Sequence, residues 1–348
     1  MSPYISATLL TGLGLGTTIT FASSHWMLAW MGLEINTLAI LPLMARRFHP
    51  RAVEAATKYF LVQASGAAML LFGAATNAWL TGMWDITQEA HPIAITLISL
   101  ALALKLGLAP LHGWMPEVMQ GLDLLTGLLL ASWQKLAPLA LLLQIQTDNS
   151  TLLTILGTTS LLIGGWGGLS QTQTRKIMAY SSISHLGWMI LVLNYAPNIA
   201  VLTLSLYIIM TASVFLTFLA CKATSLNKLS AEQGSSPVKT ALMPLLLLSL
   251  GGLPPLSGFM PKWLILQELT KQDLVPLATL AALTALLGLF FYLRISYAMT
   301  LTMAPNLPTG ATPWRLLPPR HTLPLAFTAT LTLLALPLAP AVLTLTTL

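Results

Sequence analysis

The sequence predicts an all-α membrane protein, a single polytopic bundle of eleven transmembrane helices containing an inverted repeat. Three observations carry that expectation. Of the 348 residues, 55% are hydrophobic and only 7% charged, with a mean hydropathy of +0.78, whereas a soluble chain of this length needs far more charged surface. Apolar runs of about 20 residues, enough to span a bilayer, recur from end to end. The basic residues are also sorted by loop.

The spans cover about 3–22, 25–45, 58–80, 92–115, 123–145, 150–170, 176–195, 198–220, 240–267, 275–301 and 323–346. The first, opening "MSPYISATLLTGLGLGTTITF", has no basic stretch before it, so neither a cleaved signal peptide nor an Arg-rich transit peptide is expected. The second holds Glu34 in "WMGLEINTLAI", and the fourth holds Lys105 in "LALKLGLAPLHGWMPEV". Lys135 lies in the fifth, within "LTGLLLASWQKLAPL", and His185 in the seventh, within "AYSSISHLGWM". The ninth carries Lys262 just after "GLPPLSGFMP", and the tenth carries Arg294 in "FFYLRISYAM". No soluble domain fits between the spans. The longest polar stretches, 222–239 and 302–322, read as surface connections.

A net charge of +6 could suit nucleic acid, but the membrane orders these charges instead. Loops after even-numbered spans contain Arg46, Arg47, Arg51, Lys58, Arg175, Lys176, Lys222, Lys228, Lys239, Arg315 and Arg320. The opposite loops offer only Lys271, beside Asp85, Glu89, Asp148, Glu268 and Asp273. That asymmetry is the positive-inside pattern. It sets the N-terminus on the negative side (cytoplasm or mitochondrial matrix) and the C-terminus across the membrane. The single cysteine, Cys221, allows no intrachain disulfide and no four-thiolate iron–sulfur cluster. No redox cofactor or metal is expected in this chain.

The repeat shows where helices are interrupted. "GLAPLHGWMP" (107–116) and "GLPPLSGFMP" (252–261) match at seven of ten positions, offset by 252 − 107 = 145 residues, or five spans. An odd number of spans reverses direction, so the fourth and ninth helices cross in opposite senses. The expected units are helices 1–5 (about 1–148) and 6–10 (about 149–303), with a connecting loop and last helix at 304–348. Inverted repeats whose matching helices are broken by Gly and Pro are the pattern of ion and substrate translocators. Pro110 and Pro255 each lack a backbone donor and free a carbonyl, which is tolerated at membrane depth only inside protein or beside a wet cavity.

Assigning all 26 charged residues to loops or spans leaves five inside: Glu34, Lys105, Lys135, Lys262 and Arg294. A charge at the helix centre costs roughly 2.5–3.5 kcal/mol on insertion scales, so each is a functional candidate. Lys105 lies 11 residues before Pro116, about 16 Å along a helix, too far to snorkel out. Lys135 is expected at similar depth, and unwinding at Pro110 could bring His112 between the two. An ammonium group in an apolar interior depends on a nearby carboxylate. Moving Glu34 toward or away from Lys105 would therefore switch that lysine between holding and releasing a proton. Histidine titrates near neutrality and suits a relay. One deep carboxylate among three cations is a poor sodium cage, so the expected cargo is H⁺. Arg294 reads as a snorkelling residue or a tie to a neighbour, and His185 as a group that hydrates the second half-channel. Either lysine could instead be structural, satisfied by carbonyls of the broken helices.

Taken together, "KLGLAPLHGWMPEV", "LTGLLLASWQKLAPL", "QTQTRKIMAYSSISHLGWM" and "LGGLPPLSGFMPKW" resemble the antiporter-like subunits of NADH:ubiquinone oxidoreductase, respiratory complex I, along essentially the whole chain. The resemblance implies that Glu34 pairs with Lys105 and that a proton relay continues through His112 and Lys135 to Lys262, where a sister subunit has glutamate. It implies a place in the membrane arm of the mitochondrial inner membrane, beside subunits 4 and 4L, accessory subunits and phospholipids including cardiolipin. FMN, iron–sulfur clusters and ubiquinone are then held by other subunits. Bacterial relatives have three further N-terminal helices, and this sequence begins where their fourth would. Three other readings compete: a stand-alone cation/proton antiporter, a structural scaffold, and a quinone-binding redox enzyme.

Overall fold

The computed structural model describes residues 2–46, 49–88, 91–145, 150–221, 223–231, 237–301, 322–338, 341 and 344. Among these residues the regular structure is helical throughout, with two isolated β-bridges and no strand. The helices are α1 (Pro3–Ala22), α2 (Trp26–Met44), α3 (Pro50–Thr81), α4 (Pro92–Leu106), α5 (Trp114–Gly121), α6 (Leu124–Ala131), α7 (Trp133–Gln144) and α8 (Ser150–Gly167). They continue with α9 (Thr174–Leu193), α10 (Pro197–Ala220), α11 (Leu226–Ala231), α12 (Pro237–Gly251), α13 (Phe259–Lys271), α14 (Val275–Thr300) and α15 (Thr322–Leu334). Among the described residues, seven helical stretches are long and apolar enough to cross a membrane: α1, α2, α3, the α6–α7 run, α9, α10 and α14. Shorter apolar helices are α4, α8, α12 and α15.

Local chemistry sets where these helices start. Three of them open on a histidine: the ring Nδ1 of His25, His49 and His91 accepts from the backbone N–H two residues on, at 3.2, 3.3 and 3.3 Å. In α3 and α4 that cap is followed by proline at the first helical position, where its missing N–H and fixed φ cost nothing. These three imidazoles are structural caps.

The chain divides into two compact units, Met1–Thr159 and Ser160–Leu348. In the first, α1 and α2 touch through small residues: a Cβ on Gly16 would meet the Gly32 carbonyl at 2.8 Å, and one on Gly32 would meet Thr20 Cγ2 at 2.6 Å. Helix α3 packs on α2, α4 and α5, and α7 packs on α1, α2 and α4. In the second unit α10 lies against α9, α12, α13 and α15, while α14 packs on α9, α12 and α13. Arg294 of α14 is a tie: it donates to the Leu169 carbonyl at 2.5 Å.

The structure redraws three expected boundaries. Helix α3 starts at Pro50, so Arg51 and Lys58 belong to a 32-residue helix, not a loop; Lys58 bridges Glu54 and Glu117, each at 2.9 Å. The fifth span is two helices, interrupted at Ser132, whose N–H bonds back to Leu128 and whose backbone leaves the helical line. The stretch 222–239 contains α11 and the start of α12. Arg47, Glu89, Asp148, Lys222, Arg315, Arg320 and most of 339–346 lie outside the described residues.

Candidate functional site

Both sequence matches fold into the same break. Helix α4 ends at Gly107 (φ +78°), whose N–H bonds to the carbonyls of Ala103 and Leu104 while the N–H of Leu108 bonds to Ala103. Helix α12 ends at Gly252 (φ +80°), whose N–H bonds to Leu248 and Ser249 while Leu253 bonds to Leu248. This left-handed termination favours glycine, since a Cβ is disfavoured at that φ. The non-helical stretches 107–113 and 252–258 then give way to α5 and α13. Prolines at 92 and 237, glycines at 107 and 252, and aromatic starts at Trp114 and Phe259 are all 145 residues apart (237 − 92, 252 − 107, 259 − 114).

A helix that stops inside the protein exposes carbonyls with a partial negative charge. In the first unit, Lys105 stands in the last turn of α4 and is 4% exposed. Side chains satisfy the freed carbonyls beside it: Trp114 Nε1 donates to Leu104 at 3.1 Å, and Gln63 Nε2 donates to the Lys105 carbonyl at 3.3 Å. The Lys105 Nζ itself is buried and makes no hydrogen bond among the described residues. In the second unit, Lys262 on α13 reaches back and donates to the Gly251 carbonyl at 2.6 Å. Gly252 lets it through: a Cβ there would meet Lys262 Cδ and Nζ at 2.9 Å. The Lys262 head is therefore placed at the negative end of one half-helix, and Lys105 stands in the last turn of the other.

Lys105 and Lys135 line one small cavity, shared with Asn36, Tyr59, Gln63 and Gln134. Its free volume of about 10 Å³ suits about one water molecule. Lys135, 2% exposed, sits in the first turn of α7, just past the Ser132 interruption. Glu34 does not reach this cavity directly. Its carboxylate accepts from the Thr37 hydroxyl at 2.9 Å, and Thr37 forms part of the cavity wall. No ion pair within 4.0 Å joins Glu34 to Lys105 among the described residues. The expected contact pair is thus a separated one.

His112 departs from expectation. It follows the break, but its Nδ1 lies 3.3 Å from the Pro110 carbonyl and the ring is absent from the wall joining the two lysines. In the second unit, His185 shares a cavity wall with Lys262 and Thr203, and its ring stacks at a tilt on Tyr207 with centroids 5.3 Å apart. The cavity-lining groups that sequence reasoning missed are Asn36, Tyr59, Gln63 and Gln134. Their only signal was polarity inside apolar runs, as in "EINTL", "LVQAS" and "SWQKL".

The chain is similar to known proteins along its full length. The family model for the NADH:quinone oxidoreductase/Mrp antiporter transmembrane region matches residues 23–288, and that for the NADH dehydrogenase subunit 2 C-terminus matches 289–343. NADH-ubiquinone oxidoreductase chain 2 of Tetraodon nigroviridis is 66% identical over 99% of both chains, and that of Cyprinus carpio 63% identical over 100% of both. A chain in the structure of respiratory complex I from Thermus thermophilus superposes with a TM-score of 0.84 at 27% identity, covering 98% of this chain and 81% of that one. A chain of the Mrp complex from Dietzia sp. shares the fold, with a TM-score of 0.83 at 18% identity over 97% and 75% of the two chains. With two half-helices that each end beside a lysine, and with relatives at this identity over its whole length, the chain belongs to the NADH-ubiquinone oxidoreductase chain 2 family of antiporter-like membrane subunits.

Proposed function

We propose that this chain is the antiporter-like membrane-arm subunit through which NADH:ubiquinone oxidoreductase carries protons, driven by quinone reduction in other subunits. Lys105 and Lys135 hold and pass the proton in the first unit, Glu34 sets the charge state of Lys105 through space, and Lys262 is the corresponding station in the second. His112, on the Pro110 carbonyl, serves at the margin of the break, and His185 serves beside Lys262. The carrying observation is the small cavity lined by two buried lysines. Charges this deep are otherwise costly, and a cavity sized for one water gives them a reason to be there.

The finer architecture belongs to the same proposal. Eleven spans arranged as two inverted five-helix repeats and a last helix are supported by the matching helix terminations at 107 and 252. The loop charges support an N-terminus on the matrix side of the mitochondrial inner membrane and a C-terminus on the intermembrane side. Subunits 4 and 4L, accessory subunits and cardiolipin are the proposed neighbours, and the FMN, iron–sulfur and ubiquinone sites lie in other subunits. A stand-alone antiporter shares the fold, but full-length identity to complex I chains favours the subunit.

Lys105→Met in the intact complex, reconstituted in vesicles, tests the reading. NADH-driven proton uptake and quinone reduction are expected to fall together, by at least about tenfold if a proton-transfer group is lost. Unchanged turnover with unchanged pumping removes Lys105 from the mechanism.

A further inference from the structure

Two of the three histidine caps open helices that carry the site. His25 starts α2, nine residues before Glu34 (34 − 25), and His91 starts α4, fourteen before Lys105 (105 − 91). Each ring Nδ1 accepts from the backbone N–H two residues on, Met27 at 3.2 Å and Ile93 at 3.3 Å. Both caps are tied to one turn, 82–86. The Trp26 N–H donates to the Trp84 carbonyl at 3.0 Å and the Ile86 N–H to the Ser24 carbonyl at 2.9 Å, so His25 pairs with Asp85 in an isolated bridge. The His25 ring stacks on Trp84, with centroids 5.7 Å and planes 6° apart. The His91 N–H donates to Asn77 Oδ1 at 3.1 Å, and Asn77 Nδ2 donates to the Met83 carbonyl at 3.5 Å. Asn77 and Trp26 are buried, so a packed seam joins the starts of α2 and α4 at the end of α3.

We infer that His25 and His91 are positioning residues that hold α2 and α4, and with them Glu34 and Lys105, in register only while both rings are neutral. The inference rests on the proton-carrying reading above. A neutral imidazole keeps one bare nitrogen to accept the cap bond, whereas an imidazolium donates from both nitrogens and accepts at neither. Protonation therefore breaks each cap bond, and it also sets a positive charge at the positive end of a helix. The charged His25 ring is not expelled, because the Trp84 face attracts a cation; what it loses is its hold on Met27. Asp85 is the charged side chain of the turn facing His25. The end of α1 at 21–24 and the end of α7 at Gln144, which donates to the Phe21 carbonyl at 3.3 Å, bring no charge. Glu89, close to His91 in sequence, lies outside the described residues. Histidine titrates near neutrality, so acid at this face slackens the seam. By the loop charges this is the face to which the proposed path delivers protons, and the caps slow the chain as protons accumulate there.

The test compares the wild-type complex with His25→Asn/His91→Asn, intact and in vesicles whose pH and potential gradients are collapsed by ionophores. Asparagine also caps helices, and its amide does not titrate. The comparison runs from about pH 7.5 to about pH 5.5, across the range of an ordinary imidazole. Hydrogen exchange of the wild-type amides at 27–29 and 93–95, corrected for its intrinsic pH dependence, is expected to speed up several-fold, and quinone reduction to fall over the same range. The double variant is expected to match wild type at the upper pH, to keep its amide protection, and to retain several-fold more turnover than wild type at the lower. Protection that does not change with pH in the wild type, or identical turnover profiles in the two proteins, overturns the inference. Should the variant not assemble, the wild-type exchange decides alone. Lys105→Met, run alongside, separates the reading beneath: if it still abolishes pumping, only the role of the caps falls, and if it is silent the proton-carrying reading falls too.

Discussion

At Lys105 the residue's position explains its tolerance. Lys105 stands in the last turn of a half-helix, where the dipole favours a cation, and the Lys262 head bonds to the corresponding end from the following helix. Lys262→Met is therefore expected to leave the Gly251 carbonyl without a donor and to lower pumping, read as proton uptake per NADH oxidised. Lys262→Arg, which keeps the charge but cannot release a proton at physiological pH, is expected to assemble and still fail to pump; normal pumping in Lys262→Arg would make the residue structural. The lysines were legible in the sequence because a charge in an apolar run is costly and rare. Tyr59, Gln63 and Gln134 were not, because a lone amide or phenol is common in membrane helices, and only the packing of α3 against α4 beside α7 brings them to one cavity. His112 was misplaced for a related reason: spacing fixes direction along an intact helix, and it lies in a stretch that is not one.

At the scale of elements, the breaks depend on two glycines in the left-handed region, where an L side chain costs about 1–2 kcal/mol. The two substitutions should differ. A Cβ on Gly107 would meet Trp114 at 3.3 Å, whereas one on Gly252 would meet the Lys262 amine. Gly107→Ala is expected mainly to lower the thermal stability of the assembled complex. Gly252→Ala is expected to lower pumping as well, by displacing the Lys262 head from Gly251; equal effects on pumping would contradict this. The Gly-Pro signature made both breaks readable in advance. The interruption at Ser132 was hidden, since "LLLASWQKL" holds neither glycine nor proline at the break and keeps an apolar pattern through it. The same register also sets Glu117 against Lys262 (262 − 117 = 145). One bears a surface salt bridge to Lys58 and the other a half-helix end, so the two breaks share a backbone and differ in charge.

For the molecule as a whole, scarcity of charge makes each buried one meaningful. Large apolar side chains are exposed, with Trp79 at 89% and Leu15 at 61%, as a lipid-facing surface requires, while Lys105, Lys135, Asn36 and Gln63 are buried. Composition and span length revealed that class without ambiguity, but they carry no information on which polar groups meet. The central claim is that water joins the buried lysine heads, and a map of the intact complex at a resolution that shows ordered water tests it most directly. The expected map has density for a water within hydrogen-bond distance of Lys105 Nζ, between it and Lys135, beside Tyr59 and Gln134. A dry cavity, with both ammonium groups capped by permanent carboxylate or carbonyl contacts in every state, contradicts it.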